Sequence, residues 1–240
     1  MTGELRETKL DIAVQRWIHA ITGHIAFSIF LGAWHTVSLL PIAVCSWFFM
    51  KTGGIIFLAA IVPFAAISGG VWASVHGINR QLQFEHTTYL FKELWKHLQR
   101  NFLQGACLGV LLLLACIVLY LPLAASRILQ TEMPFALLCI IMTGTMLLPV
   151  AAEYTFYQIS RWKISLFAAI RNSFVLMFRM GWRSAVVCVI WLADFLLVAI
   201  FPYILVPLSL FCGLTSVLNM TTHALFAPEM DVLMVCDSNE

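Results

Sequence analysis

The chain has 240 residues, of which 61% are hydrophobic and 11% are charged, and its formal net charge is +2. A charged fraction so far below the ~25% typical of soluble domains excludes an ordinary water-soluble protein. The hydrophobic residues form six blocks, and about 20 apolar residues are enough for a helix to cross a bilayer. The predicted spans are 24–50, 53–78, 102–125, 133–156, 183–201 and 203–224.

The lysines and arginines predict how these spans cross the membrane. Twelve of the 14 precede the first span or lie in the connections that follow spans two and four, whereas the alternate connections carry only Lys51 and Arg127. Because Lys and Arg are enriched in cytoplasmic loops, we expect both termini in the cytoplasm. Topology accounts for the basic loops, so the expected partner is the lipid bilayer and not a nucleic acid.

Two basic connections also read as amphipathic helices, at about 86–100 and 164–179, which we expect to lie in the cytoplasmic interface. Their cations would dock a partner protein or anionic lipid, through Lys92, Lys96, Arg100, Arg171 and Arg179. The predicted fold is all-α: a multi-pass bundle of six transmembrane helices in a single domain, 1–228, with two interfacial helices. Residues 229–240 are expected to form a short, frayed, acidic cytoplasmic tail.

Two sequence patterns concern packing between these elements. A shift of 76 residues superposes Leu90 on Leu166 and Gly105 on Gly181, which suggests a weak repeat of an interfacial helix followed by two spans. Small residues recur at four-residue spacing at Gly69, Ala73 and Gly77, and again at Gly105 and Gly109. Such spacing permits close approach of helices, and we expect it to serve packing within the bundle.

Ionisable residues within spans mark candidate sites, because an isolated charge in the bilayer is unfavourable. Asp194 in span five and His35 in span one each lie about 11 residues, or ~16 Å, from the cytoplasmic end. Equal depth permits a mid-membrane Asp–His pair that relays protons or binds a ligand. The structural alternative is a polar contact without such a role.

A second polar layer is predicted nearer the cytoplasmic side, where three spans place polar side chains at one depth: His76, Glu153, Asn219 and His223. His and Glu are zinc ligands, but their local spacing is not that of a known metal motif. A polar network or gate is therefore favoured, and we expect no metal and no cofactor. Phosphate-loop, HExxH, GxSxG and GxGxxG motifs are absent from the sequence, so no enzymatic activity is expected.

Three stretches resemble the YesL-like family of bacterial integral membrane proteins, whose function is unknown. The basic helix and Gly-Leu-rich span of 91–120, FKELWKHLQRNFLQGACLGVLLLLACIVLY, is the most telling. VPFAAISGGVWASVHGINR (62–80) and EYTFYQISRWKISLFAAIRNSFVLMFR (153–179) are similar to the family's second span and to its aromatic span end with a basic helix. The likeness covers about 17–226, although Ser68-Gly69-Gly70 replaces the family's Gly-Pro-Ala run.

The resemblance implies a protein of the bacterial cytoplasmic membrane that acts near sugar import. From it we expect a non-enzymatic accessory or regulatory subunit of a carbohydrate uptake or sensing system. Carbohydrate ABC transporter subunits or a sensor kinase would be its partners. The alternative is a small-solute or proton-coupled transporter, with Asp194 and His35 at its mid-membrane site.

Overall fold

The computed structural model describes residues 15, 17–19, 21–84, 89–201, 207–208 and 214–237. Every regular element within these ranges is an α-helix, which confirms the predicted all-α class. The seven helices are α1 (Ile25–Thr52), α2 (Ile55–Phe84), α3 (Leu90–Leu129), α4 (Phe135–Arg161), α5 (Leu166–Arg179), α6 (Trp182–Ile200) and α7 (Leu214–Asp237).

Four of these helices, α1 to α4, are long and apolar enough to cross a membrane, and α5 with α6 forms a fifth candidate that is bent by 108°. Large apolar side chains point outward along them, with Val118 72% exposed and Ile128 and Phe135 each 80% exposed. A contiguous apolar surface of this kind is unfavourable in water but is suited to lipid. The chain is therefore a membrane protein with several apolar helices. Residues 203–206 and 209–213 of the predicted span 203–224 lie outside the described residues.

Helix α2 is the centre of the bundle and packs against α1, α3, α4 and α7. It follows α1 through a turn in which Gly53 has a φ of 66°, a conformation that favours glycine. Gly69 lies directly against the backbone of Gly105 and Gly109 on α3, so that a Cβ atom at Gly69 would collide with main-chain atoms. The small residues thus serve packing within the bundle, as predicted.

Helix α3 differs from the prediction. The sequence favoured a separate interfacial helix at 86–100 and a span at 102–125, but Leu90–Leu129 is one continuous 40-residue helix. At 1.5 Å per residue it is ~60 Å long. The reason is a continuous buried stripe along one face of its first half, which includes Leu94, His97, Asn101, Gly105 and Leu108. Asn101 looked like a boundary in the sequence but lies on this stripe.

The second predicted amphipathic helix coincides with α5, whose N-cap residue Ser165 accepts a hydrogen bond from the backbone N–H of Ala168. Helix α5 turns sharply into α6 at Gly181, which has a φ of 51°. Gly181 is the repeat equivalent of Gly105, yet Gly105 lies inside α3. The two proposed repeats therefore differ in structure. Residues 229–237, expected as a frayed tail, belong to α7.

Candidate functional site: a buried His–Glu–His cluster

The facing sides of α2, α4 and α7 are rich in polar side chains that are fully removed from the surface. His76, Asn79, Gln158, Asn219 and His223 each have 0% exposure. Burying a polar group is unfavourable unless it gains a hydrogen bond or an ion pair. These residues therefore require partners, and their contacts define the site.

His76 lies between the two other ionisable residues of the cluster. Its Nε2 atom is 3.4 Å from Oε2 of Glu153 on α4. Its Nδ1 atom is 2.9 Å from Nε2 of His223 on α7. One imidazole ring thus connects a carboxylate with a second imidazole, across three helices.

The two carboxylate oxygens of Glu153 have different roles. Oε1 accepts hydrogen bonds from Asn219 Nδ2 at 2.8 Å and from Thr222 Oγ1 at 2.5 Å. Oε2 instead faces His76. Two donors from α7 therefore fix the carboxylate and leave one oxygen directed at the imidazole.

A chain of amides extends behind this carboxylate. Ser216 Oγ donates to Asn79 Oδ1 at 3.1 Å, and Asn79 Nδ2 donates to Asn219 Oδ1 at 2.8 Å. Because each amide oxygen accepts from the preceding residue, the Asn219 amide nitrogen is oriented toward Glu153. The network thus holds the carboxylate through α2 as well as α7.

Aromatic rings enclose the two histidines. The His76 ring lies 4.9 Å from Trp72 and 5.5 Å from Phe156, measured between ring centroids. The His223 ring lies 5.0 Å from Tyr157 and 5.5 Å from Phe226. These rings place mostly apolar surface around the two histidines.

A cavity of about 330 Å³ lies beside the cluster, with Glu153 in its wall. Most of its lining is apolar, with residues such as Leu112, Leu113 and Phe156. Two polar atoms in its lining residues, His35 Nδ1 and Trp191 Nε1, are buried and have no hydrogen-bond partner in the described ranges. An apolar pocket with a few polar groups is the usual form of a small-molecule site.

The structure brings together all four residues predicted for the second polar layer: His76, Glu153, Asn219 and His223. Sequence reasoning missed three members of the network, Asn79, Ser216 and Thr222. A usable signal was present, because residues 216, 219 and 223 recur at helical spacing and so share one face of α7. Asn79 likewise follows His76 by three residues on α2.

The predicted pair of Asp194 and His35 is not formed. Within the described residues, no hydrogen bond or ion pair joins them, and Asp194 is not part of the cavity wall. His35 instead lies against Trp72, with ring centroids 4.0 Å apart. Equal depth of the two residues does not bring them into contact, because they lie on helices with different neighbours. Helix α1, which carries His35, packs against α2 and α7, whereas α6, which carries Asp194, packs against α4 and α7.

The predicted docking residues all lie on the protein surface: Lys92, Lys96, Arg100, Arg171 and Arg179. Some of them also make internal contacts. Arg100 donates to the carbonyl oxygen of Ser160, and Lys96 pairs with Glu93 one turn away. Only part of this basic surface is therefore available to an external partner.

Comparison with protein-family models, curated proteins and solved structures finds no match to the chain. The resemblance to the YesL-like family consequently stays a prediction, and the function must be argued from the site. Chemically, the cluster has two capacities. Its imidazoles and carboxylate can hold and exchange a proton, and the same atoms are ligands that a transition metal accepts.

Proposed function

We propose that the protein is a non-enzymatic transporter that couples movement of a small, mostly apolar solute to protonation of His76, Glu153 and His223. The observation that carries this proposal is the position of Glu153. Its carboxylate belongs to the buried cluster, and the residue also lines the 330 Å³ cavity. A solute in the cavity would thus lie beside a group whose charge depends on the cluster.

The hydrogen-bond geometry supports proton exchange within the cluster. Asn219 Nδ2 lies 3.1 Å from His76 Nε2, so a neutral His76 can accept a hydrogen bond there. When that nitrogen carries a proton, it can donate to Glu153 Oε2 instead. His76 Nδ1 and His223 Nε2 share a second proton position. A solute with one polar end would change which of these arrangements is favoured.

The apolar lining suggests the class of solute. His35 Nδ1 and Trp191 Nε1 offer unused hydrogen-bonding atoms, and Leu39, Ile42 and Leu113 supply apolar surface. A small molecule with an apolar body and a single polar group matches this lining. In this proposal the chain has six spans, both termini are cytoplasmic, and the membrane is the bacterial cytoplasmic membrane.

The test compares two carboxylate-to-amide variants in proteoliposomes with an imposed pH gradient. Solutes that raise the melting temperature of the detergent-solubilised protein are radiolabelled, and their uptake is measured. Glu153→Gln should abolish the dependence of uptake on the pH gradient. Asp194→Asn should retain it, because Asp194 lies outside the cavity wall. Undiminished pH dependence in Glu153→Gln, or no uptake by the wild type, would refute proton-coupled transport.

A cavity-filling substitution tests solute binding separately. Ala152 lines the cavity on α4, so Ala152→Leu should occupy the space and remove the thermal shift caused by the solute. Ala136→Leu is the matched control, because Ala136 is exposed on the same helix. Solute binding that survives in Ala152→Leu would place the binding site elsewhere.

The second candidate function is the accessory subunit of a carbohydrate uptake or sensing system, with ABC transporter subunits or a sensor kinase as partners. The exposure of all five basic residues favours it, as does the exposure of Phe91 and Trp95 beside Lys92. Replacing Lys92, Lys96 and Arg171 by Glu should release such a partner during purification from native membranes. Purification of the wild type as a homomer would count against this function.

A further inference from the structure

We propose that His76, Glu153 and His223 bind a divalent transition-metal cation, and that Zn²⁺ is the best match. Zinc commonly takes imidazole nitrogens and carboxylate oxygens as ligands. Each of the three residues offers one such atom, and these atoms lie within 4.8 Å of one another. Metal binding goes beyond transport, since it is a property that the purified protein shows without any flux.

The distances are close to those of a four-coordinate site. Zinc ligands at ~2.0–2.2 Å in a tetrahedron are separated from each other by about 3.3 Å. His76 Nε2 and Glu153 Oε2 already have a separation of 3.4 Å. His223 Nε2 currently faces the other nitrogen of His76, so a shift of roughly 1–1.5 Å completes the set.

Only one nitrogen of the His223 ring has a hydrogen-bond partner within the described residues, so the ring is free to make that shift. Its Nδ1 atom is fully buried and has no hydrogen-bond partner among the described residues. Tyr157 and Phe226 contact the His223 ring in T-shaped geometry. These contacts restrain the ring by packing and not by a hydrogen bond. The His223 ring can therefore turn toward the ion without losing a hydrogen bond at Nδ1.

The surroundings of Glu153 match those of a metal-binding carboxylate. Residues that hold a metal are themselves held by further hydrogen bonds. Asn219 and Thr222 both donate to Oε1, which leaves Oε2 free to face the ion. A carboxylate with one oxygen fixed by two donors and the other directed at His76 is pre-organised for one-oxygen coordination.

Three protein ligands leave a fourth position for water, as in open zinc sites. Because Glu153 lies in the cavity wall, the cavity offers a route by which the ion enters. A water ligand is bound less strongly than a fourth protein ligand would be. The site should accordingly bind zinc less tightly than a closed structural site does.

The test measures Zn²⁺ bound to the full chain, purified in detergent with a tag that contains no histidine. After dialysis against Zn²⁺ and removal of the excess, elemental analysis should find one equivalent per chain. Co²⁺ should give visible absorption bands of a tetrahedral site without thiolate charge-transfer bands. Thiolate bands would overturn the proposal, because they would indicate binding at exposed Cys107 or Cys139.

Variants assign the ion to the cluster. His223→Ala should raise the Kd for Zn²⁺ by more than the ~10–100-fold that loss of an outer hydrogen-bond partner produces. Thr222→Val keeps all three ligands but removes one donor to Glu153, and should raise the Kd about 10-fold. Because Thr222→Val nearly conserves side-chain volume, it keeps the test valid if His223→Ala fails to fold.

His35→Ala is the matched control, because His35 is a buried histidine on the cavity wall outside the triad. Its Kd for Zn²⁺ should equal that of the wild type. An equal loss in His35→Ala and His223→Ala, or no bound Zn²⁺ in the wild type, would overturn the metal site. Either result leaves the flux comparison of Glu153→Gln and Asp194→Asn unaffected, so failure of metal binding and failure of transport are distinguishable.

Discussion

Two regions of the bundle contain ionisable residues, and they differ in what surrounds those residues. In one, His76 contacts both Glu153 and His223, and amide and hydroxyl donors orient the carboxylate of Glu153. In the other, His35 stacks on Trp72, and Asp194 has no bonded partner in the described part of the chain. The polar residues of the first region form a network because three helices bring them together. Polar residues on helices that do not pack together stay separate.

The largest expected difference between the two regions is in stability. Asn219→Leu removes the donor to Glu153 and the acceptor for Asn79, and should lower the free energy of unfolding by about 3 kcal/mol. Asp194→Leu should leave it unchanged or raise it slightly, because no bonded partner is lost. Reversible unfolding in mixed micelles measures both variants. Equal destabilisation would mean that the two regions do not differ as described.

The second test concerns the packing that positions α2, and with it His76. Gly69→Ala should destabilise the protein by about 2 kcal/mol, because the new methyl group meets the main chain of Gly105 and Gly109. Gly144→Ala is the matched control, since its methyl group would meet only the flexible side chain of Leu119. The melting temperature in detergent reports both changes. A larger effect at Gly144 would contradict the central role of the α2–α3 contact.

The smallest expected effect compares two hydroxyl groups. Thr222→Val removes a hydrogen bond to the Glu153 carboxylate and should cost about 1 kcal/mol. Thr36, next to His35, donates to the Gly32 carbonyl of its own helix, so Thr36→Val should cost less than about 0.5 kcal/mol. The same unfolding assay applies. A Thr36→Val effect as large as that of Thr222→Val would show that the hydroxyl at Thr222 does not support a network.

The relative level of residues along the bundle could be predicted from the sequence, whereas the direction in which a side chain faces could not. Counting residues from the predicted span ends placed His76, Glu153 and His223 at one level, and the structure brings them together. The same counting placed His35 level with Asp194, but depth does not determine rotation about a helix axis or which helices are neighbours. Those properties depend on close contacts such as that of Gly69 with Gly105, which involve residues distant in sequence.

The continuity of α3 could not be predicted from the sequence patterns either. Arg100 and Asn101 have the polarity expected at a membrane boundary, yet Asn101 is buried and α3 continues through it. Gly105 and Gly181 follow similar amphipathic segments. Gly105 is helical because α2 packs on it, whereas Gly181 adopts a positive φ at a sharp bend. Glycine in the same sequence pattern thus adopts a helical conformation in one place and a positive φ in the other. Tertiary contacts decide which of the two it adopts.

Because α3 is one continuous helix, it links two distant parts of the protein. Gly105, which lies against the α2 backbone at Gly69, is near the midpoint between Leu90 and Leu121 and divides this stretch into two arms. A tilt of about 10° around that point would move Leu90 and Leu121 by about 4 Å in opposite directions, and residues nearer to Gly105 by less. One arm carries Lys92 and Lys96, and the other carries Leu112, Leu113 and Cys116 of the cavity wall. These parts of the basic surface and of the cavity wall are therefore on one continuous helix.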